Sequence, residues 1–301
     1  MKVYTELIDN KNTALALGFF DGVHLAHQEL IKKTVEIAKK KNLKSVLITF
    51  SKSPYSVIKN VETKIITPFQ EKVKLIEKLG IDEVFVLDFN LFKEMDANNY
   101  VNDVLIKHFE PKFITTGFNH TFGKNKTGDG KLLSSFSSIF KYIQVQPVVV
   151  SNLLVSSTNI KKAIEEGEID IANAMLNRNF SIKGKVVKGA QIARKLGYKT
   201  ANLIWDNEIV KPKYGVYFGL VNYKSVSYQA MINFGIRPSI DKELKETLEV
   251  HILNFNQDIY DEEIEVEFYK KIRDEKKFDS FDELKKQIDM DYETFKTFPL
   301  L

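Results

Sequence analysis

Two histidines in one short stretch are the residues of this sequence whose type and spacing best suit catalysis. His24 and His27 stand three positions apart in a chain with five histidines. They follow an apolar run at 14–17 and the turn-forming residues GFFDG at 18–22. A helix that begins near His24 places both imidazoles on its first turn, where free backbone N–H groups attract phosphate. The imidazoles could then donate hydrogen bonds to phosphate oxygens during a displacement at phosphorus. The pattern predicts a phosphate-binding turn; the alternative is a pair of surface histidines at a helix start.

The elements that must position this turn have the pattern of a parallel sheet covered by helices. Short apolar runs that predict buried strands lie at 14–20, 45–50, 83–89, 113–118 and 143–150. Stretches with helical periodicity alternate with them, at about 25–40, 68–79, 97–109, 129–140 and 157–177. Because such strands run parallel, their carboxyl ends share one edge of the sheet, which is where ligands bind.

The chain changes character after about residue 180. Runs with β character and alternation follow one another closely, at 182–188, 200–205, 215–222, 228–234, 247–255 and 263–271. A helix at about 280–297 closes the chain, with Ser280 as its cap and Glu283 three residues further on. The second half therefore reads as an antiparallel barrel or sandwich with one C-terminal helix.

Composition excludes several classes of protein and site. The 301 residues are 44% hydrophobic and 28% charged, which is typical of a globular chain. The absence of cysteine excludes disulfides, thiolate catalysis and zinc-thiolate sites. A net charge of +4 suits anionic small molecules and is too low for a nucleic-acid partner. No apolar run is long enough for a membrane helix, and the N-terminus lacks a signal peptide. We expect a cytoplasmic protein without a nucleic-acid or membrane partner; a homo-oligomer stays open.

Seven segments, in order along the chain, resemble motifs of the bacterial bifunctional riboflavin kinase/FAD synthetases. GFFDGVHLAH at 18–27 is similar to the G-x-F-D-G-V-H-x-G-H signature of that family. The others are TGFNHTFGKNKTGDG at 116–130, VSSTNIKKAIEEGEI at 155–169, GYKTANL at 197–203, INFGIRPSI at 232–240, LEVHILNF at 248–255 and IRDEKKFDSFDELKKQI at 272–288.

The resemblance implies two domains and two reactions. Residues 1–178 would form a Rossmann-like nucleotidyltransferase domain that transfers AMP from ATP to FMN, giving FAD and pyrophosphate. Residues 179–301 would form an antiparallel flavokinase β-barrel with a C-terminal helix, which phosphorylates riboflavin with MgATP to give FMN. The implied ligands are therefore ATP, Mg²⁺, riboflavin, FMN and FAD.

In the first domain the resemblance assigns catalysis to His24 and His27. The implied nucleotide-binding residues are Gly18, Phe20, Asp21, Gly22, Asn119, Ser156, Ser157, Thr158 and Lys161. Asn119 could instead be a plain turn residue, and the three hydroxyl residues could serve only to cap the next helix. Lys161 stands where the family has arginine, so the bidentate fork of a guanidinium is lost.

In the second domain the resemblance assigns Mg²⁺ to Thr200 and Asn202, and the general base to Glu249. Without it, Glu249 could equally be a solvated residue on the outer face of its strand. The glycines expected in loops over the ADP phosphates are Gly184, Gly189 and Gly197. Arg237 and Arg273 are candidates for flavin or phosphate contacts, and either could be a surface ion pair.

Three functional hypotheses follow. The first is a bifunctional enzyme with both activities, which the presence of His24, His27, Thr200, Asn202 and Glu249 favours. The second keeps a single activity, because the chain departs from the family pattern at Ala26, Lys161, Ala193, Lys199 and Ser239 and has no histidine before Pro54. The third is a nonenzymatic flavin- or nucleotide-binding regulator on the same scaffold.

Overall fold

The computed structural model describes residues 1–189, 198–238 and 244–296 of the chain. The chain divides into two compact units, Met1–Ser157 and Thr158–Leu301. This division lies earlier than the domain boundary predicted after residue 178. The residues between the two positions are helical, and the helix at 169–176 packs with the strands that follow it. Within the described residues, no helix is long and apolar enough to cross a membrane.

The first unit is built on a parallel sheet, as predicted. Its strands are β1 (Lys2–Tyr4), β2 (Thr13–Leu17), β3 (Lys44–Phe50), β4 (Glu83–Leu87), β5 (Pro111–Gly117) and β6 (Lys141–Val145). Their order is β1-β4-β3-β2-β5-β6, and every neighbouring pair is parallel. Strand β1 was not predicted, because it has three residues and is mostly exposed. The run predicted to continue to residue 150 leaves the sheet before Pro147, which has no N–H to donate to a ladder. After it, β7 (Val149–Val150) and β8 (Leu153–Leu154) form a separate antiparallel pair.

Helices cover both faces of this sheet. They are α1 (Leu25–Lys41), α2 (Pro54–Lys59), α3 (Phe69–Lys78), α4 (Ala97–Asn99), α5 (Lys107–Phe109) and α6 (Gly130–Ser135). A π-helical stretch, Tyr100–Ile106, joins α4 to α5. In β2, Leu15 and Leu17 belong to the core on one face of the sheet and Ala16 to the core on the other. Burial on both faces is the reason that the strands read as continuous apolar runs.

The topology places a crevice beside β2. From β2 the chain runs to β3 and β4 on one side, and it returns to β5 and β6 on the other. The connections after β2 and β5 therefore leave the sheet in opposite directions at its carboxyl edge, and ligands bind at such a switch point. The loop that carries the two histidines and the loop that carries Asn119 are these two connections.

The second unit is a closed antiparallel barrel, which decides between the barrel and the sandwich. It begins with α7 (Ser157–Glu166) and α8 (Ile169–Leu176), the segment predicted as one helix, which Gly167 divides with φ of 81°. The strands are β9 (Phe180–Val187), β10 (Ala201–Trp205), β11 (Gly215–Tyr223), β12 (Val226–Pro238), β13 (Leu244–Ile252) and β14 (Glu263–Asp274). They close in the order β10-β13-β12-β11-β14-β9, and α9 (Phe281–Lys296) ends the described chain.

Candidate active sites

The turn between β2 and α1 has an unusual backbone. Three of its four residues from Phe20 to Val23 have positive φ: 59° at Phe20, 81° at Gly22 and 42° at Val23. Gly22 adopts this conformation without strain, whereas each of the two other residues costs about 1 kcal/mol or more. Such strain persists only where neighbouring groups hold the backbone. Contacts with neighbouring groups must therefore hold the turn in this conformation.

The turn brings the two predicted histidines together at the start of α1. His24 caps the helix, and its Nδ1 accepts the backbone N–H of His27 at 3.4 Å. The two rings are stacked, with centroids 3.6 Å apart and planes 15° from parallel. Because Nδ1 of His24 accepts, a neutral His24 carries its proton on Nε2, where it can be donated to a ligand.

Burial and charge keep His27 neutral. Burial lowers the pKa of His27 well below its ordinary value, and the nearby His24 and Lys72 lower that pKa further. Two imidazolium rings stacked this closely would repel each other, which acts in the same direction. The Nδ1 of His27 is buried and has no hydrogen-bond partner among the described residues. His27 can therefore meet a ligand as a neutral donor.

Two residues predicted to bind nucleotide, Phe20 and Asp21, have side chains that contact the turn and its neighbours, and their nucleotide contacts stay a prediction. Phe20 is 1% exposed and packs edge-on against the His27 ring at 5.1 Å between centroids. Asp21 is buried, and its Oδ1 accepts the backbone N–H groups of Ile66 and Thr67 at 2.9 and 3.4 Å. These two side chains therefore hold the turn against the His27 ring and the segment at 66–67. Gly18 and Gly22 lie in the same turn, where only backbone can approach a ligand.

The segment 155–161 was predicted to line the phosphate site, and the structure links its start to the turn. The hydroxyl of Ser157 donates to the carbonyl oxygen of Asp21 at 3.0 Å, so Ser157 supports the turn across 136 residues of sequence. Ser156 precedes it directly. Thr158 and Lys161 follow in α7, in the second compact unit. Nucleotide contacts of these four residues remain a prediction.

A cavity of about 390 Å³ lies beside the loop after β5. Asn119 is exposed at its rim, as the prediction requires, and the neighbouring His120 lines it. The Nε2 of His120 is buried without a hydrogen-bond partner among the described residues, and burial lowers the pKa of His120 to about 4. Lys131 and Tyr142 line the same cavity. The lining can therefore offer neutral donors and a cation to a phosphorylated ligand.

The barrel carries a row of polar side chains across three strands. Glu249 on β13 pairs in register with Asn202 on β10 and with Asn233 on β12. Residues directly opposite each other in antiparallel strands project to the same face, about 5 Å apart at Cβ. Glu249 is 5% exposed, so its carboxylate is not the solvated outer-face group considered as an alternative. The sequence did not single out Asn233, which only strand register brings to Glu249.

Close packing fixes the position of Asn202. A Cβ built on Gly189 would lie 2.2 Å from Nδ2 and 2.3 Å from Cγ of Asn202, so only glycine allows this approach. Thr200 lies one residue before β10 and lines a cavity of about 180 Å³ with Val250 and the segment 255–260. The sequence interpretation had not assigned that segment to the site.

His251 and Tyr198 support the backbone next to Thr200. Nδ1 of His251 lies 2.8 Å from the carbonyl oxygen of Lys199, which can only accept. The Tyr198 ring meets the His251 ring edge-on at 5.3 Å, and its hydroxyl donates to Asp289 of α9 at 2.5 Å. His251 therefore supports the backbone at Lys199, directly before Thr200 and the start of β10.

The structure gives two residues predicted for the barrel site a place in the fold. Gly184 was expected in a phosphate loop, but it lies inside β9, paired with Trp205 and Ile264, because the β run predicted at 182–188 already includes it and its backbone pairs on both sides. Arg273 was a candidate for flavin or phosphate contacts or for an ion pair; its Nε and Nη2 bind the carboxylate of Asp291 in α9 at 2.8 to 3.0 Å, and a ligand contact stays a prediction.

Two other predicted residues lie outside the part of the chain that can be described. Gly197 falls in the gap between residues 189 and 198. Arg237 lies in β12, and its side chain is outside the described set.

Comparison with known proteins agrees with this division into two folds. The family model for FAD synthetase matches residues 7–159, and that for riboflavin kinase matches residues 176–298. A bifunctional riboflavin kinase/FMN adenylyltransferase of Buchnera aphidicola subsp. Schizaphis graminum is 38% identical over 296 residues, which cover 96% of this chain and 95% of the relative. The enzyme of the same name from Listeria monocytogenes is 33% identical over 294 residues, 95% of this chain and 92% of its own.

A solved structure gives the same result at the level of the fold. A crystal structure described as a macrolide-efflux protein from Streptococcus pneumoniae has a TM-score of 0.89 and 32% identity, and the match covers 98% of this chain and 96% of that one. Both family models and the curated relatives lead to one conclusion, and each unit has a set of polar groups of its own. The chain belongs to the family of bifunctional riboflavin kinase/FMN adenylyltransferases.

Proposed function

We propose that this chain converts riboflavin to FMN in the barrel and FMN to FAD at the carboxyl edge of the parallel sheet. The observation that carries the proposal is that each unit has its own set of buried and half-buried polar groups. The stacked His24 and His27 lie at the switch point of the sheet, and Glu249 lies between Asn202 and Asn233 on the barrel. We assign residues 1–178 to adenylyl transfer and residues 179–301 to phosphorylation.

In adenylyl transfer, a phosphate oxygen of FMN attacks the α-phosphorus of ATP. The new P–O bond forms as the bond to the pyrophosphate group breaks, and pyrophosphate leaves with both electrons. No group of the protein becomes covalently attached, so the catalytic contribution is positioning and stabilisation of charge. The rings of His24 and His27 donate to phosphate oxygens, and the side chain of Asn119 donates from the opposite loop.

In the kinase reaction, Glu249 takes the proton of the riboflavin 5′-hydroxyl. The hydroxyl oxygen attacks the γ-phosphorus of ATP, and ADP leaves. The side-chain oxygens of Thr200 and Asn202 are hard donors close to a carboxylate, and this donor set fits Mg²⁺. A bound Mg²⁺ would neutralise charge on the ATP phosphates. Because Gly189 has no side chain, the Asn202 amide can pack directly against its backbone.

The enzyme would act on ATP, riboflavin and FMN as free small molecules in the cytoplasm, without a nucleic-acid or membrane partner. The lack of cysteine and the low net charge of +4 support this proposal.

A chromatographic assay of purified protein tests the two sites together and apart. With riboflavin, ATP and Mg²⁺, the chain should form FMN and then FAD. Glu249→Gln should lower FMN formation by about 10²- to 10⁴-fold and still convert supplied FMN to FAD. His27→Gln should make FMN and stop there. Glu263→Gln and His108→Gln are matched controls, since Glu263 is exposed on β14 and His108 pairs with Asp9.

Each other outcome selects a different hypothesis. FMN as the only product, or FAD from supplied FMN alone, would mean that a single activity is present. No product from either substrate would favour a nonenzymatic flavin- or nucleotide-binding regulator. Loss of both activities in Glu249→Gln or in His27→Gln, with the fold intact by circular dichroism, would refute two independent sites.

A further inference from the structure

Lys72 in α3 is a buried lysine beside the histidine turn. It is 4% exposed, and its ammonium group donates to the carbonyl oxygen of Phe19 at 3.2 Å and to the hydroxyl of Thr49 at 3.4 Å. The same Thr49 hydroxyl donates to the Phe19 carbonyl at 2.9 Å. The ammonium also lies 4.6 Å from the centre of the Phe19 ring. Two side chains from different elements therefore converge on one carbonyl.

Within α3, the Lys72 ammonium contacts the Phe69 ring, 5.7 Å from its centre, which offsets little of the cost of burying a lysine here. Lysine is almost never fully buried unless it is paired, and a cation near the N-terminus of a helix opposes the helix dipole. Lys74, two positions further on, is exposed and pairs with Glu71 in the ordinary way. Burial lowers the pKa of Lys72 to about 8, while the charge of Asp21 raises it. The cost of burying Lys72 must therefore be offset by its contacts with the turn.

The carbonyl that Lys72 holds comes directly before the strained residues. Further along the turn, the side chain of Asp21 accepts hydrogen bonds from the backbone N–H groups at 66 and 67. The carbonyl oxygen of Val23 accepts one from the side-chain amide of Gln28 at 2.9 Å. Lys72 and Thr49 supply the corresponding constraint where the chain leaves β2. Without the ammonium, the Phe19 carbonyl would keep its hydrogen bond from Thr49 but lose the one from Lys72, and the start of α1 could shift.

We propose that Lys72 is a positioning residue for adenylyl transfer: its ammonium group holds the turn 19–23 and thereby places His24 and His27 against the phosphates. This inference rests on the proposed function of the turn. In this proposal Lys72 touches no reacting atom. It acts through its hydrogen bond to the backbone of the turn and through the effect of its charge on His27. The charged and titratable groups involved are Asp21 from the turn, His24 and His27 from α1, and Lys72 itself from α3.

The inference predicts a pH dependence of one activity only. Below about pH 8 the amine of Lys72 is protonated and donates strongly, and above it the charge is lost. FAD formation from supplied FMN should therefore fall as the pH rises through about 8. FMN formation in the barrel, measured on the same protein, should show no matching fall. The comparison needs no substitution, so it holds even if a variant fails to fold.

Lys72→Met tests the positioning role, with Lys74→Met as the matched control on the same helix. In Lys72→Met, kcat for FAD formation should fall by about 10²-fold, as for a misplacement of about 1 Å, with a smaller change in KM. FMN formation should be unchanged. The pKa of His27, followed by NMR of its imidazole nitrogens, should rise because a neighbouring positive charge is gone. Lys74→Met should leave all of these as in the wild type.

The possible failures can be told apart. If the wild type makes FAD and Lys72→Met matches it in kcat and in the pKa of His27, the inference is wrong and the proposed function stands. A wild-type profile for FAD formation that is flat from about pH 7 to 9.5 overturns it as well. If the wild type makes no FAD from FMN, the proposed function of the turn fails, and the inference fails with it.

Discussion

The close approach of Gly189 to Asn202 gives a sharp prediction for the kinase site. In Gly189→Ala, the new Cβ would lie between 2.2 and 2.6 Å from three atoms of the Asn202 amide. Non-bonded heavy atoms settle at about 3.5 Å, so the amide must retreat by about 1 Å. Asn202 pairs with Glu249 in register, and its oxygen is the proposed Mg²⁺ ligand. The displacement therefore reaches the site itself.

A misplacement of about 1 Å lowers a rate by about 10²-fold, which corresponds to about 2.7 kcal/mol of transition-state stabilisation. We expect that loss in kcat/KM for FMN formation, measured by chromatography over a range of riboflavin and Mg²⁺ concentrations. FAD formation from supplied FMN on the same protein is the internal control. Lys185→Ala is the matched variant, since its side chain is exposed on β9, the strand that ends two residues before Gly189.

Two results would refute this reasoning. A kcat/KM within about threefold of the wild type would mean that Asn202 need not hold its place. Equal loss of both activities, with a lower melting temperature, would mean that the substitution disturbs folding and not the amide alone.

Two further predictions concern the stability of each unit. Asp291 is 3% exposed and binds Arg273 through both carboxylate oxygens. Asp291→Asn should therefore destabilise the barrel by about 3 kcal/mol, read from urea unfolding by the fluorescence of Trp205, the single tryptophan. His120 has a pKa of about 4 when folded, against about 6.5 when unfolded. The unfolded chain binds this proton first, so the stability of the first unit should fall as the pH drops from about 6.5 towards 4. His120→Phe should reduce that fall, followed by NMR of β5 amides in urea at pH 7 and 5.

The controls for these two predictions are simple. Asp282→Asn changes an exposed carboxylate on the same helix and should leave the Trp205 transition within about 0.5 kcal/mol of the wild type. An equal urea midpoint for Asp291→Asn would show that the ion pair with Arg273 contributes no net stability. A pH dependence as steep in His120→Phe as in the wild type would contradict the role of His120.

Local patterns in the sequence were enough to predict the order of the elements. The apolar runs that became β2 to β5 are buried on both faces, and the alternating runs after residue 180 became barrel strands. The errors came where a local pattern is weak or carries no tertiary context. The three-residue β1 is too short and too exposed to show an apolar pattern of its own, and Gly184 lies within β9 although a glycine by itself favours a loop.

The sequence by itself determined that His24 and His27 share a helix start and that Glu249 lies on a strand. Those relations span a few residues and follow from the repeat of a helix or a strand. Only the tertiary structure decided which distant groups meet them. Lys72 reaches the Phe19 carbonyl across 53 residues, and strand register brings Asn233 to Glu249. Nothing local distinguishes a buried lysine from the exposed ones on α3, because burial depends on what the folded chain places over each side chain.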